Sequence, residues 1–295
     1  MRTRCIALSV LFTATACEPE SSSDELLSER SPEDGWSEPS SERAVRDPGF
    51  AFIDVDGDNK YDEDIDQEAV LDANGELHTP YDLVIPHDRW NPTLWHDEQV
   101  TITVGGDLDL DGEVSCLTSC IGSGCLVGTH TCSVDIEVAG DIITSNRSEI
   151  YAISGMGEAW ISITAGGDID LKSVVVNAAE TYPSTDDGSI VISADGDLEA
   201  PSMDAFVDVG GHRTVSLSSS KQFLSLNKVD VSADTVELST CRTAAKSCAY
   251  VPVVDLRKFQ LDSATASLCI DEEDLTAGST IRLTTNAKTS TNTCY

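Results

Sequence analysis

Aspartates at alternate positions near residue 54 are the sharpest candidate for chemistry in the sequence. In the segment DVDGDNKYDED, Asp54, Asp56, Asp58 and Asp62 hold the first, third, fifth and ninth positions of a calcium loop, and the carbonyl of Lys60 is available at the seventh. Hard carboxylate oxygens at alternate positions can surround one divalent cation. The sequence therefore predicts a Ca²⁺ site with these five residues as ligands. A solvated acidic loop is the alternative.

Two departures from the standard calcium loop qualify the predicted ligand set. Asn59 stands at the sixth position, where glycine is usual, and asparagine tolerates the left-handed backbone needed there. Ile65 stands at the twelfth position in place of a bidentate glutamate, and Asp64 or Asp66 is the candidate to substitute for it. The preceding GFAFI alternates like a strand, and the segment resembles the helix-free calcium loops of secreted bacterial modules. That resemblance implies a structural ion at the N-terminal edge of the domain.

Of ten cysteines, Cys5 and Cys17 lie within or next to the N-terminal signal sequence described below, and eight remain as disulfide candidates. An even number in an exported chain predicts disulfides. Four of them, in CLTSCIGSGCLVGTHTC, allow three connectivities, and a zinc site is the alternative although the spacings are not those of paired zinc ligands. Cys241–Cys248 would close a short loop, and Cys269–Cys294 would clip the last coil as a C-terminal cap. The candidates are Cys116, Cys120, Cys125, Cys132, Cys241, Cys248, Cys269 and Cys294.

The N-terminus has the pattern of an exported protein. In MRTRCIALSVLFTATAC two arginines precede an apolar run too short to span a membrane, which predicts a signal peptide at residues 1–16. Ala14-Thr15-Ala16-Cys17 resembles the lipobox of bacterial lipoproteins, which implies acylation of Cys17 and a membrane anchor, although Ala14 departs from the usual leucine. The same residues fit ordinary cleavage that releases a soluble protein. Within the lipoprotein resemblance, Glu18 implies transport to the outer membrane or cell surface.

Charge and composition exclude one class of partner and divide the chain. With 18 Lys+Arg against 52 Asp+Glu the formal net charge is -34, which opposes binding to nucleic acids. Residues 17–47 are rich in Ser, Glu and Pro and poor in apolar side chains, so they predict a disordered acidic tether. Residues 48–80 form a predicted strand region with the calcium-type loop, and residues 81–295 a predicted all-β domain.

A strand-turn-strand sequence motif repeats after the tether at unequal intervals. Copies begin at Val100, Val134, Trp160 and Ile190, each with an alternating run, a glycine turn and an aspartate. Weaker copies begin at Thr214 and at Thr235 in TVELST. Steps of 34, 27 and 29 residues separate the aligned aspartates, which suits stacked coils of a parallel β-helix with loops of variable length. These aspartates are Asp107, Asp141, Asp168 and Asp197.

The amino-acid sequence of these copies is similar to the repeats of a known class of surface protein. SITAGGDIDL resembles the repeats of filamentous-haemagglutinin-type adhesins and related right-handed β-helix proteins, over roughly residues 81–233. The resemblance implies a right-handed parallel β-helix of about six irregular coils at the cell surface, and it carries over no binding site. A β-sandwich is the alternative, but it has no reason to repeat one strand-turn-strand phrase.

The aligned aspartates admit a structural and an ionic interpretation. Aspartates stacked one coil apart repel by about 0.9 kcal/mol per neighbouring pair in water. Each inward Val or Ile contributes about 1.5 to 3 kcal/mol on burial, so the row needs no metal to exist. Aspartate also accepts backbone N–H bonds in turns, which favours a turn role over an ion ladder.

The outward positions of the copies lack the side chains of a catalytic face. They are mostly hydroxyls, with no Arg, Lys or His. Trp160 is outward in this register and offers a surface for carbohydrate stacking. Trp90 and Trp95 are interpreted as covers for the open N-terminal end of the core. The hydroxyl positions are Thr101, Thr103, Ser162, Thr164, Ser193, Ser216 and Ser218.

These patterns predict a lipid-anchored protein of the outer membrane or cell surface with a structural or adhesin-like role. Its expected partners are the membrane, through the anchor, and a glycan or surface protein, while Ca²⁺ is its expected structural cofactor. No catalysis is expected. The alternative is a calcium-dependent polysaccharide lyase or hydrolase on the same scaffold, which requires a row of charged side chains on one strand face.

Overall fold

The computed structural model describes residues 50–87, 94–118, 131–182, 185–220, 223–226 and 229–240, together with strand segments at 253–255, 259–262, 265–269, 281–283 and 288–291. The signal peptide, Cys17 and the tether predicted at the N-terminus lie outside these residues. Among the described residues, no helix has the length and apolar character needed to cross a membrane.

The described strands form two sheets, here called sheet A and sheet B, with fifteen and nine strands respectively. Sheet B consists of β3 (Glu76–Thr79), β6 (Gln99–Val104), β9 (Cys132–Val138), β11 (Ala159–Ala165), β13 (Gly188–Ala194), β16 (Arg213–Ser219), β19 (Thr235–Thr240), β22 (Thr265–Cys269) and β24 (Lys288–Thr291). Sheet A consists of β1 (Phe52–Asp54), β2 (Gln67–Glu68), β4 (Asp82–Ile85), β5 (Leu94–His96), β7 (Leu108–Leu110), β8 (Glu113–Leu117), β10 (Ile142–Ser154), β12 (Ile169–Glu180), β14 (Leu198–Glu199), β15 (Met203–Asp208), β17 (Phe223–Ser225), β18 (Val229–Ser232), β20 (Val253–Asp255), β21 (Phe259–Asp262) and β23 (Ile281–Leu283).

Sheet A contains two columns of stacked parallel strands. The first column runs β4, β7, β10, β12, β14, β17 and β20, and the second runs β5, β8, β10, β12, β15, β18, β21 and β23. The long strands β10 and β12 take part in both columns and bend between them, where their register shifts between Thr144 and Arg147. A coil therefore passes through sheet B, the first column and the second column, as β6, β7 and β8 do in order. The predicted parallel β-helix is confirmed.

The repeated sequence motif forms the aligned strands of sheet B. The six predicted copies are the six neighbouring strands β6, β9, β11, β13, β16 and β19. Their apolar residues meet in lines that point into the core, because side chains on a strand alternate between its two faces. One such line, each member at most 1% exposed, is Val100, Val134, Ile161, Ile190, Val215 and Val236.

The N-terminal end is built differently from the stacked coils. β1 pairs antiparallel with both β2 and β4, so the strand after Phe50 runs against the first coil of sheet A. Phe52 is 2% exposed, and the ring of Tyr61 packs edge-on against it with ring centroids 5.5 Å apart. This arrangement holds the acidic loop between β1 and β2 against the end of the first column.

One disulfide joins two coil segments. Cys116 in β8 and Cys132 in β9 are bonded, with Cα atoms 5.7 Å apart and both side chains fully buried. It closes the loop between the second column and sheet B and selects one pairing within the predicted cluster. Cys120 and Cys125 of that cluster lie outside the described residues, as do Cys241, Cys248, Cys294 and the side chain of Cys269.

Candidate functional sites

The acidic loop between β1 and β2 is organised around the buried carboxylate of Asp54. Its two oxygens accept the N–H of Gly57 at 2.8 Å and the N–H of Asn59 at 2.6 Å. Gly57 has a φ of 75° and Asn59 a φ of 57°, so the expected left-handed asparagine is confirmed. Asp66, 6% exposed, accepts the N–H of Val55 at 3.0 Å and of Asp62 at 2.7 Å and closes the far side of the loop.

The loop brings three of the five predicted ligands together. Carboxylate oxygens of Asp54, Asp56 and Asp58 all lie within 4.8 Å of one another, a separation that one divalent cation can bridge. Partial desolvation, and next the neighbouring Asp58, raise the pKa of Asp56. Lys60 reaches the Asp58 carboxylate with its Nζ at 3.9 Å. Asp62 uses one oxygen to accept the N–H of Asp64 at 3.0 Å.

The aspartates at the corner between sheet B and the first column form a ladder. The Asp107 carboxylate accepts the N–H of Asp141 at 2.8 Å, Asp141 accepts that of Asp168 at 2.7 Å, and Asp168 accepts that of Asp197 at 2.9 Å. Asp82 adds a first member by accepting the N–H of Asp107 at 2.8 Å. The turn role of these carboxylates is confirmed. Sequence reasoning missed Asp82 because no glycine precedes it, although the following Leu-Val resembles the other copies.

Four of the five ladder aspartates, Asp107, Asp141, Asp168 and Asp197, follow a glycine that the same contact requires. A Cβ at Gly140 would overlap the Asp107 carboxylate and lie 2.7 Å from the carbonyl oxygen of Gly106. The Gly140 N–H also donates to that carbonyl at 3.0 Å, so the two coils touch through their backbones. Equivalent overlaps occur at Gly106, Gly167 and Gly196. The Gly-Asp pair therefore allows adjacent coils to stack closely and joins them by hydrogen bonds.

The outward face of the second column carries a cluster of charged residues and a tyrosine. Glu113 and Glu149 are neighbours in register on β8 and β10. Glu149 accepts the Tyr151 hydroxyl at 2.7 Å and pairs with the Arg147 guanidinium at 2.9 Å. Burial, and the nearby Glu149, raise the pKa of Glu113 against the opposing effect of Ser115. Burial, and then the bond to Glu149, raise the pKa of Tyr151.

The preceding coil positions this cluster at the bend of β10. Oδ1 of Asp111 accepts the N–H groups of Ser145 at 2.6 Å and Asn146 at 2.8 Å, and Asn146 Nδ2 donates to Asp111 Oδ2 at 2.8 Å. These bonds hold the irregular segment just before Arg147. Sequence reasoning missed the cluster because this bend interrupts the period-two alternation from which outward positions were inferred.

The structure places some of the predicted tryptophan and hydroxyl side chains as expected and others differently. Trp160 is outward, in register with Ser133 and Ser189. Trp95 does not cover the N-terminal end of the core: it stands on β5 with 57% of its surface exposed, because its strand pairs with β8 and faces it outward. Trp90 lies outside the described residues. Ser216 and Ser218 hold the predicted outward positions, in register with Val191 and Ser193, but they are covered, at 7% and 1% exposed.

Comparison of the chain with protein-family models, with curated proteins and with solved structures finds no match.

Proposed function

We propose that the protein is a cell-surface β-helix with an adhesin-like role, which binds a glycan or another surface component without altering it. The observation that carries this proposal is Trp95, a large aromatic side chain 57% exposed on a strand face. An exposed tryptophan offers a large aromatic surface on which a sugar ring or another apolar surface can stack. The lipobox resemblance at Cys17 and the acidic tether support lipid anchoring at the outer membrane or cell surface.

Calcium belongs to this proposal as a structural ion. The Asp54, Asp56 and Asp58 oxygens support a Ca²⁺ site, since Ca²⁺ takes hard oxygen ligands in flexible geometry. A bound ion would neutralise the crowded carboxylates and fix the antiparallel N-terminal strand. Titration of the full chain with CaCl₂ should raise its melting temperature, and Asp56→Asn with Asp58→Asn should remove that rise. Glu63→Gln, an exposed residue of the same loop, is the matched control, and an equal rise in all three proteins would contradict the site.

Binding is tested with the full chain immobilised through its C-terminus and exposed to a glycan array and to intact bacterial and host cells. The expected result is retention of a restricted set of glycans, or of cells, that Trp95→Ala reduces. Tyr81→Ala, at an exposed aromatic residue outside the second column, is the matched control. Failure of the wild-type chain to retain any glycan or cell would discard the adhesin-like role.

A polysaccharide hydrolase is the second candidate, and one observation favours it. Glu113 and Glu149 are adjacent carboxylates in contrasting environments, one with a raised pKa and one held by Arg147 and Tyr151. In glycosidases one carboxyl group of such a pair acts as the acid and the other as the nucleophile at the glycosidic bond. Release of reducing ends from a polysaccharide panel, abolished by Glu113→Gln, would establish hydrolysis. No release from the panel with or without Ca²⁺ would leave the binding role.

A further inference from the structure

From β5 to β15 the second-column face carries an aromatic side chain at every second strand, and the same line continues through Ser232 and Asp262. Trp95 lies level with Ser115, Ser115 with Tyr151, Tyr151 with Asn177, and Asn177 with Phe206. Trp95 is exposed and Tyr151, Asn177 and Phe206 are half-buried, while the small Ser115 between the first two rings is fully buried. These five residues are called the aromatic row. Its direction is that of the coil stacking, across the strands.

The spacing of the row follows from β-sheet geometry. Neighbouring strands lie about 4.8 Å apart, so successive aromatic residues are about 10 Å apart. One strand spacing is comparable to the length of one pyranose unit in an extended glycan. In a β-1,4-linked chain alternate sugars present the same face, because successive units are related by a half turn. An aromatic residue at every second coil therefore matches every second sugar.

A second line of side chains runs beside the aromatic row. Glu113, Glu149 and Asp204 stand two residues earlier on their strands, with Val175 between the last two. We call these three carboxylates the acidic row. Carboxylates accept hydrogen bonds from sugar hydroxyls and repel uronate or sulfate groups. The pair of rows combines a stacking surface with a polar edge, which is how sugar rings are held by their apolar faces and their hydroxyls.

We propose that the aromatic row binds an uncharged linear β-1,4-linked glycan lying along the axis of coil stacking. Alternate sugars stack on Trp95, Tyr151 and Phe206, and the hydroxyls beside them donate to the acidic row. This inference rests on the proposed binding function and deepens it by giving the class and direction of the ligand. The net charge of -34 agrees with a ligand that carries no negative charge.

The test is isothermal titration of the full chain with gluco-, manno- and xylo-oligosaccharides of two to six β-1,4-linked units. Affinity should rise with length until the oligosaccharide spans the row, and oligogalacturonate should not bind. Trp95→Ala and Phe206→Leu should each weaken binding about tenfold, the loss of one stacked ring. Phe206→Leu keeps an apolar side chain at a half-buried position, so the fold is retained. Tyr151→Phe keeps the ring and should bind more tightly than Tyr151→Leu.

Tyr81→Ala, at an exposed aromatic residue outside the second column, should bind as the wild type does, and circular dichroism should show all variants folded. Unchanged affinity in both Trp95→Ala and Phe206→Leu would overturn the row while leaving the proposed surface-binding function in place. Binding of cells or of an anionic glycan, with no binding of the neutral oligosaccharides, would also overturn the row alone. If the wild-type chain retains no glycan and no cell, the row and the proposed function fall together.

Discussion

At the scale of single residues, the corner aspartates show how a charged side chain can be structural. Each ladder carboxylate accepts the backbone N–H of the next aspartate, at 2.7 to 2.9 Å from Asp82 to Asp197. Hydrogen bonds to a charged acceptor contribute about 1.5 to 3 kcal/mol, more than the about 0.9 kcal/mol of repulsion between neighbours. The ladder therefore stabilises the stack without requiring a metal.

Asp141→Ala should lower the free energy of unfolding by about 1 to 3 kcal/mol, because the N–H of Asp168 loses its acceptor. Asp141→Asn should cost less, since its amide oxygen can still accept that bond. Urea denaturation followed by circular dichroism measures both, with Asp195→Ala, an exposed aspartate on the neighbouring turn, as the control. Equal free energies for Asp141→Ala and the control would contradict the ladder.

Asp109 gives the second residue-scale prediction, a dependence of stability on pH. Burial, and next the nearby Asp111, raise the pKa of Asp109 to about 6 against the opposing charge of Lys172, and its Oδ1 lacks a hydrogen-bond partner. Because the folded-state pKa lies above the unfolded-state value of about 3.9, Asp109 favours folding most below that value. This contribution is lost as the pH rises through about 6.

Asp109→Asn should therefore be more stable than the wild type at pH above about 7 and should approach it near pH about 4. Thermal unfolding across this pH range measures the difference. Asp195→Asn, at an exposed position, is the control for removal of a surface carboxylate. A constant offset for Asp109→Asn at all pH values would show that its effect is not electrostatic.

At the scale of elements, sheet B was predictable and the second column was not. In β6, β9, β11 and β13 strict alternation of apolar and polar residues fixes which side chains point inward, since a shift of one residue would expose the whole apolar set. In β10 three consecutive exposed residues, 145–147, interrupt the alternation, and in β12 the buried positions change from Ile169 and Leu171 to Val174 and Val176, one residue off a simple count. The carboxylates Glu113 and Glu149 and the aromatic row are brought together by the register between coils, which a single strand's sequence does not contain.

The disulfide illustrates the same limit and carries a prediction of its own. Four cysteines between β8 and β9 allowed three connectivities, and only the stacking of the two strands places Cys116 beside Cys132. Because the bond closes a loop with a sequence separation of 16, Cys116→Ala with Cys132→Ala should lose about 3 kcal/mol of stability. Chemical denaturation measures the loss. A double variant as stable as the wild type would mean that the coil stack alone holds the loop ends together.

At the scale of the whole molecule, the β-helix behaves as a stack in which each coil contacts its neighbours. Sheet B orders its strands as β3, β6, β9, β11, β13, β16, β19, β22 and β24, without crossing between distant coils. Stability in such a stack is a sum of coil and neighbour terms, so damage should remain near its origin. The flat faces that follow from this regularity are what the proposed glycan binding uses.

Ile163, fully buried in β11 between Ile136 and Ile192, tests this locality. Ile163→Ala should cost about 2 to 5 kcal/mol, and Ile163→Val about 0.5 to 1.5 kcal/mol, in proportion to the volume removed. Hydrogen exchange should accelerate in β9, β11 and β13 and in the sheet A strands of the same coils, while β3 and β19 keep wild-type rates, because they do not contact the altered coil. Ile163→Val should show the same pattern with smaller amplitude. A uniform acceleration through every strand would instead show that the coils unfold as one cooperative unit, and that binding on one face is coupled to the stability of the whole stack.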